Sequence, residues 1–344
     1  MIKGLFLASI AVVMMTACSV DEGYDTPVAP NEITFSVTPV NASRQISAAA
    51  DNDVKNFIIS ARNNGTPFID EELVAFSGGR WINTGKPHLW PSEGDVDFFA
   101  YRYDKTANRE CTPLLDVEMT RAKLCMFNVA NEASRQTTLQ YATSLHRTAN
   151  DGSVPMQFRQ ALSEIVFTAQ NSSRKLHVEI SEIIVNHVYM QGDFIFPSGR
   201  QQAKWDVSSG APQSSKASFP TKTVNSHMES LGDETVMHLI PQSQDNATAE
   251  TGYSDGVSIT FRCAVWKLSD GSDTPKDSDT MLIGERNADG SVTFGDLRIP
   301  VSINWQPGCR YTYSLNFGAG GSSGIPVTGG IMLPIAFSAY SEAI

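Results

Sequence analysis

Apolar residues recur at every second position in short runs along most of this chain, and the runs end at clusters of glycine, proline, asparagine or aspartate. A period of two puts alternate side chains on opposite faces of an extended strand, so the pattern predicts strands with one apolar face. Ile33, Phe35 and Val37 open the series, alternating with Thr34, Ser36 and Thr38. Strands are predicted next over 54–61, 72–76 and 96–103, the last rich in aromatic residues and closed by Asp104 and Lys105. Signals are weaker at 114–117 and 124–129, and a short strand or turn entry falls at 139–143.

After the turn cluster 150–155 the series resumes at 165–169 and 177–188, where Val178 and Ile180, then Ile183 and Val185, alternate. It continues through 193–196, 204–207, 236–241, 257–266, 292–294, 298–303 and 311–317. The glycine-rich run 318–324 reads as a flexible linker. In the last extended segment Ile331, Leu333, Ile335, Phe337 and Ala339 share a face, and Pro334, which has no N–H for a ladder, puts that segment at a sheet edge or adds it from outside. No stretch carries a helical period, so the chain is predicted all-β, with the many short strands of a sandwich.

A length of 344 residues suggests two domains, each able to bury its own core. The expected division is a signal segment 1–17, a tether 18–31, an N-terminal domain 32–154 and a C-terminal domain 155–344. Residues 1–18 have one charge, Lys3, before an apolar run too short to span a bilayer. Thr16 and Ala17 precede Cys18 as in a bacterial lipobox, predicting a thioether-linked lipid on Cys18 and an extracytoplasmic lipoprotein. An ordinary cleaved signal with an incidental cysteine is the alternative. Asp21 and Glu22, just beyond, resemble a surface-export signal.

The net charge of −11 is spread along the chain without a basic stripe, which excludes nucleic-acid binding as an expectation. Cys111, Cys125, Cys263 and Cys309 have no metal-ligand spacing. Cys111 with Cys125 is the conceivable disulfide, and four separate buried thiols are the alternative. Gly320-Gly-Ser-Ser-Gly324 matches the nucleophile-elbow spacing, yet Pro326, Gly329 and Gly330 forbid the helix an elbow must enter. His177 and Glu179 lack the cysteines of a zinc deaminase, and the acidic stretch 270–279 lacks the spacing of a calcium loop. Neither catalysis nor a cofactor or metal is expected. Five tryptophans, Trp81, Trp90, Trp205, Trp266 and Trp305, read as core residues or as a sugar platform.

Trp90-Pro91, Asp97-Phe-Phe-Ala-Tyr101, Gln140-Tyr-Ala142, Phe158 with Ala161-Leu-Ser163, Ile165 and Phe167, Leu239-Ile-Pro-Gln242, and Trp305, Pro307, Gly308 and Tyr311-Thr-Tyr313 follow one another in this order. That order resembles the fimbrillin (Mfa-like) family of type V pilus subunits, from about residue 30 onward. Gln160 stands where the family often has histidine, and Tyr103-Asp104 where its aromatic run usually turns towards a proline. The resemblance implies two transthyretin-like β-sandwich domains in tandem and a fimbrial subunit or adhesin assembled by strand exchange. An arginine-specific protease would remove the lipid with the first strand, carrying Ile33, Phe35 and Val37. Arg44, in a small polar loop, is the candidate cut, with Arg62 as competitor. Ile331, Leu333, Ile335 and Phe337 would lie on the strand donated to the next subunit, unless the tail closes its own domain. The implied partners are other pilin subunits in a homo- or heteropolymer, the outer membrane through the lipid, and a host or bacterial surface receptor. A surface glycan-binding lipoprotein of a nutrient-uptake system is the alternative. An exposed row of tryptophans would favour it, and an apolar groove beneath the first strand would favour the pilin.

Overall fold

The computed structural model describes residues 31–38 and 56–319 apart from 106–107, 109–110, 118–120, 233–235, 249, 271 and 273, the backbone of 325–327 and 331–333, and residues 335–344. Among the described residues almost all regular structure is β-strand, interrupted by two single-turn 3-10 helices at Ala133–Arg135 and Ala149–Asp151. The protein is an all-β fold of packed sheets.

In chain order the first strands are β1 (Phe35–Thr38), β2 (Asn56–Asn63), β3 (Thr66–Ser77), β4 (Arg80–Asn83) and β5 (Val96–Tyr103). Next come β6 (Leu114–Asp116), β7 (Lys123–Asn128), β8 (Leu139–Arg147), β9 (Val154–Gln157) and β10 (Arg159–Gln160). Eight of these form one sheet in the order β10-β8-β5-β2-β3-β4-β1-β9. Since β9 and β10 are separated only by Phe158, the two ends of that sheet are joined by one short run of chain, and the sheet wraps around its own core.

The second half begins with β11 (Ser163–Asn171), β12 (Leu176–Tyr189), β13 (Gln191–Ile195), β14 (Lys204–Asp206), β15 (Pro212–Thr223), β16 (Glu229–Ser230) and β17 (Met237–Leu239). In one five-stranded sheet β16, β11, Cys309–Phe317 and Ile335–Ala343 lie in that order, with β17 also on β11. A second holds β15, β12, Ser258–Lys267 and Thr280–Ile283, with Gly295–Pro300 pairing to Ser258–Lys267. These two sheets face each other, Phe167 meeting Phe261 edge-on at 5.9 Å. A four-stranded sheet, β14-β13-β7-β6, draws strands from both halves of the chain.

Local sequence explains the details. On β12 the buried apolar residues are Val178, Ile180, Ile183, Val185 and Val188, and the change of phase after Ile180 is a β-bulge against both neighbouring strands. The extra residue lets both halves of a fourteen-residue strand face one core. Strand β5 alternates poorly because both of its faces are covered. Phe98 packs with Trp90 at 5.9 Å on one side, while Phe99 packs with Phe196 at 5.6 Å on the other. The aromatic seam continues through Tyr141 and Phe194, 4.6 Å apart, so the core runs from the eight-stranded sheet into the second half of the chain.

Cys111, Cys125, Cys263 and Cys309 are all free thiols. Burial pushes the Cys263 thiol up from 9.0 to about 12 and the Tyr313 phenol from 10.0 to about 12. The folded protein therefore keeps two protons that the unfolded chain releases near pH 9 to 10. This stability is complete below about pH 9 and is lost as pH rises towards 12, at up to about 1.4 kcal/mol per pH unit for each group. A urea midpoint clearly lower at pH 10.5 than at pH 8 is the expected result.

Candidate functional site

Strand β1 lies inside the eight-stranded sheet, antiparallel to β4 with Phe35 opposite Trp81, and parallel to β9 from Phe35–Val154 to Thr38–Gln157. The chain just before it is also held. The N–H of Ile33 donates to the His88 carbonyl at 2.8 Å, and the N–H of Val154 donates to the Thr34 carbonyl at 2.8 Å. Both edges of a four-residue strand are therefore paired.

The alternation read from the sequence aims Ile33 and Phe35 inward, where both are buried, and leaves Val37 half-buried against the same cluster. Phe35 enters an aromatic socket, meeting Phe57 and Phe98 edge-on at 5.9 Å each. Phe57 in turn packs on Phe158 at 5.2 Å and on Trp81 at 5.5 Å. Edge-to-face pairs add to the area buried, so β1 is anchored chiefly through one ring. Phe57, Phe98, Phe158 and Trp81 form the walls, and only their aromatic character marks them in the sequence. An apolar groove lies beneath the first strand, and the tryptophans form no exposed row: Trp90, Trp266 and Trp305 are buried, while Trp81 and Trp205 are half-buried.

The tail differs in kind. Residues 331–340 read as one segment, but Ile331–Leu333 pairs with Ile325–Val327, whereas Ile335–Ala343 pairs antiparallel with Cys309–Phe317. The change of partner falls at Pro334, which has no N–H to give to either ladder. Ile335 is buried, Phe337 is half-buried, and most of the rest of the last strand is exposed. Phe337 stacks on Tyr313 at 5.7 Å, and Tyr313 on Phe167 at 5.8 Å. At the far end Glu342 stands opposite Arg310, whose Nε donates to Glu164 at 2.8 Å, and Glu164 stands opposite His238 of β17. Glu342, Arg310 and Glu164 thus form a row of alternating charge across three strands, ended by the imidazole of His238, whose pKa burial lowers, and the row fixes the register of the last strand.

Cys18, Arg44 and the linker residues 320–324 lie outside the described residues. The competing arginine, Arg62, is on β2 between β3 and β5, with its Nε 3.2 Å from Asp97 and its guanidinium over the Phe99 ring. A protease needs an extended, accessible segment, and β2 offers none there. In the acidic stretch, Asp279 accepts from Ser269 and from the Lys276 N–H, so its carboxylate is engaged within its own loop.

A family model described as fimbrillin-like matches residues 40–331. Among solved structures, a fimbrial protein from Bacteroides vulgatus ATCC 8482 is similar, with a TM-score of 0.59 and 12% identity, over 91% of this chain and 99% of that one. A candidate cell adhesion protein from Parabacteroides distasonis ATCC 8503 is similar at a TM-score of 0.50 and 12% identity, over 91% of this chain and 98% of that one. A search of curated proteins returns no match.

Proposed function

The chain belongs to the fimbrillin-like family, and from that premise we propose that it is a structural or adhesive subunit of a cell-surface fimbria, without catalysis, that polymerises by exchanging strands with its neighbours. The observation that carries this reading is β1: paired along both edges, rooted by Ile33 and Phe35, and covering an aromatic socket. In the proposed cycle the precursor, lipidated at Cys18, is carried to the outer surface of the outer membrane. A cut after Arg44 separates β1 from β2, so that β1 is held by non-covalent contacts alone. Its departure frees the edges of β4 and β9 for an extended segment whose alternate side chains enter the socket. Ile331, Leu333, Ile335 and Phe337 of another subunit have the required alternation.

The last strand suits donation because it sits at a sheet edge and buries little. Ordering nine residues costs backbone entropy that offsets most of what Ile335 and Phe337 contribute. Deleting residues 335–344 is therefore expected to cost about 1–2 kcal/mol, read by thermal or urea unfolding. A loss as large as that of a core strand would mean that the tail belongs to its own sheet.

The direct test treats the purified precursor with an arginine-specific protease and follows it by N-terminal sequencing and electron microscopy. A new N-terminus at Gln45, no cut after Arg62, and filaments that fail to form without residues 325–344 are expected. Clean cleavage after Arg44 that leaves monomers would overturn strand exchange.

A further inference from the structure

Where β8 and β10 meet the 306–308 turn and residues 202–203, a cavity of about 670 Å³ opens, and a second of about 200 Å³ shares Tyr141, Gln157 and Arg159 with it. The two form one groove, which shares Phe158 with the socket under β1. Four amide side chains, Gln157, Gln160, Gln202 and Gln306, line the larger part. Arg159 is exposed, and its guanidinium bonds to the hydroxyl of Tyr141, whose ring is almost wholly buried in the groove wall.

The electrostatics are unusual for this protein. The chain has 37 acidic residues against 26 basic ones, yet no aspartate or glutamate lines either cavity. Among the described residues no carboxylate pairs with Arg159. A positive fork bonded to a neutral hydroxyl rather than to a carboxylate, and set among neutral amides, attracts an anion that the rest of the surface repels. Each glutamine offers one acceptor and two donors, which matches the mixed donor and acceptor character of sugar hydroxyls. The volume lies within the range of small-ligand sites, roughly 300–1,000 Å³. An extended peptide would want apolar pockets at alternate positions, and the polar lining supplies few.

We propose that this groove binds a carboxylated saccharide, a glycan carrying a sialic or uronic acid, with Arg159 receiving the carboxylate and the glutamine amides receiving the hydroxyls. Guanidinium and carboxylate pair through two parallel hydrogen bonds, so Arg159 sets the preference for acidic over neutral sugars. Gln157, Gln160, Gln202 and Gln306 then select for hydroxyl-rich ligands over simple carboxylic acids. The site adjoins the strands of the proposed exchange, since Gln157 stands opposite Thr38 of β1 and Ile344, just after the last strand, lines the larger cavity; binding by the uncut monomer tests it apart from polymerisation.

The experiment titrates the intact protein with 3′-sialyllactose, a glucuronic-acid disaccharide and lactose, using calorimetry or ligand-observed NMR. At least one acidic sugar is expected to bind, with lactose at least about tenfold weaker. Arg159→Gln is expected to lose about tenfold or more in affinity for the acidic sugar, and Gln202→Ala several-fold, both without a change in melting temperature because both side chains are exposed. Failure of both acidic sugars to bind at millimolar concentration would overturn the proposal. So would equal affinity for lactose, an Arg159→Gln protein that binds as well as the parent, or tighter Arg159-dependent binding of a polyglutamate peptide.

Discussion

Phe35→Ala is expected to lower the stability of the uncut protein by about 3–5 kcal/mol, the usual cost of removing a large ring from a close-packed core. The ring is buried, contacts Phe57 and Phe98 edge-on, and cannot be replaced by relaxation of a socket whose walls are held by β2 and β5 in the middle of the sheet. Urea unfolding should show the loss with an unchanged slope, because the surface exposed on unfolding is nearly the same. Val37→Ala, on the same strand but half-buried, should cost far less. The contrast separates a strand rooted by one ring from one held evenly by its ladder. Equal losses at the two positions would remove the basis for reading Phe35 as the anchor.

Arg310→Ala is the second large effect, expected at about 3 kcal/mol. Its guanidinium donates to Glu164 at 2.8 Å, and the two side chains are 15% and 14% exposed. Taking away one member of so covered a pair leaves the other charge with little water and no partner, which costs more than the pair contributes when intact. Arg310→Ala combined with Glu164→Gln should therefore recover much of the loss, giving a coupling energy well above zero in a double-mutant cycle. His238 provides an independent readout. Burial holds its pKa below the ordinary histidine value, with Glu164 opposing and Arg310 reinforcing that depression. Without Arg310 its titration by NMR should move upward.

Much of the strand inventory was legible because a half-buried strand writes its burial directly into alternation, as Ile165, Phe167 and Ala169 do on β11. In β12 the sequence showed two alternating runs, Val178 with Ile180 and Ile183 with Val185, and the structure supplies the bulge that joins them. Partners were not legible. Nothing in the composition of 154–160 reveals that β9 pairs with β1, more than a hundred residues earlier, while β10 pairs with β8. Alternation states which face is apolar and says nothing about what covers it. The tail illustrates the same limit, because an unbroken apolar face over 331–339 spans two strands with different partners. The socket walls were visible only as aromatic density, and the amide groove left no mark, since its glutamines come from three separated stretches.

The neighbours of β1 also fix a polarity. Strand β4 runs against it and β9 runs with it. Residues 154–160 belong to both margins of the sheet, so a molecule that had lost β1 would be a cask missing one stave, unable to slide shut. The gap between β4 and β9 would then accept a replacement ribbon in one direction only, and a fibre built from such subunits would have distinguishable ends.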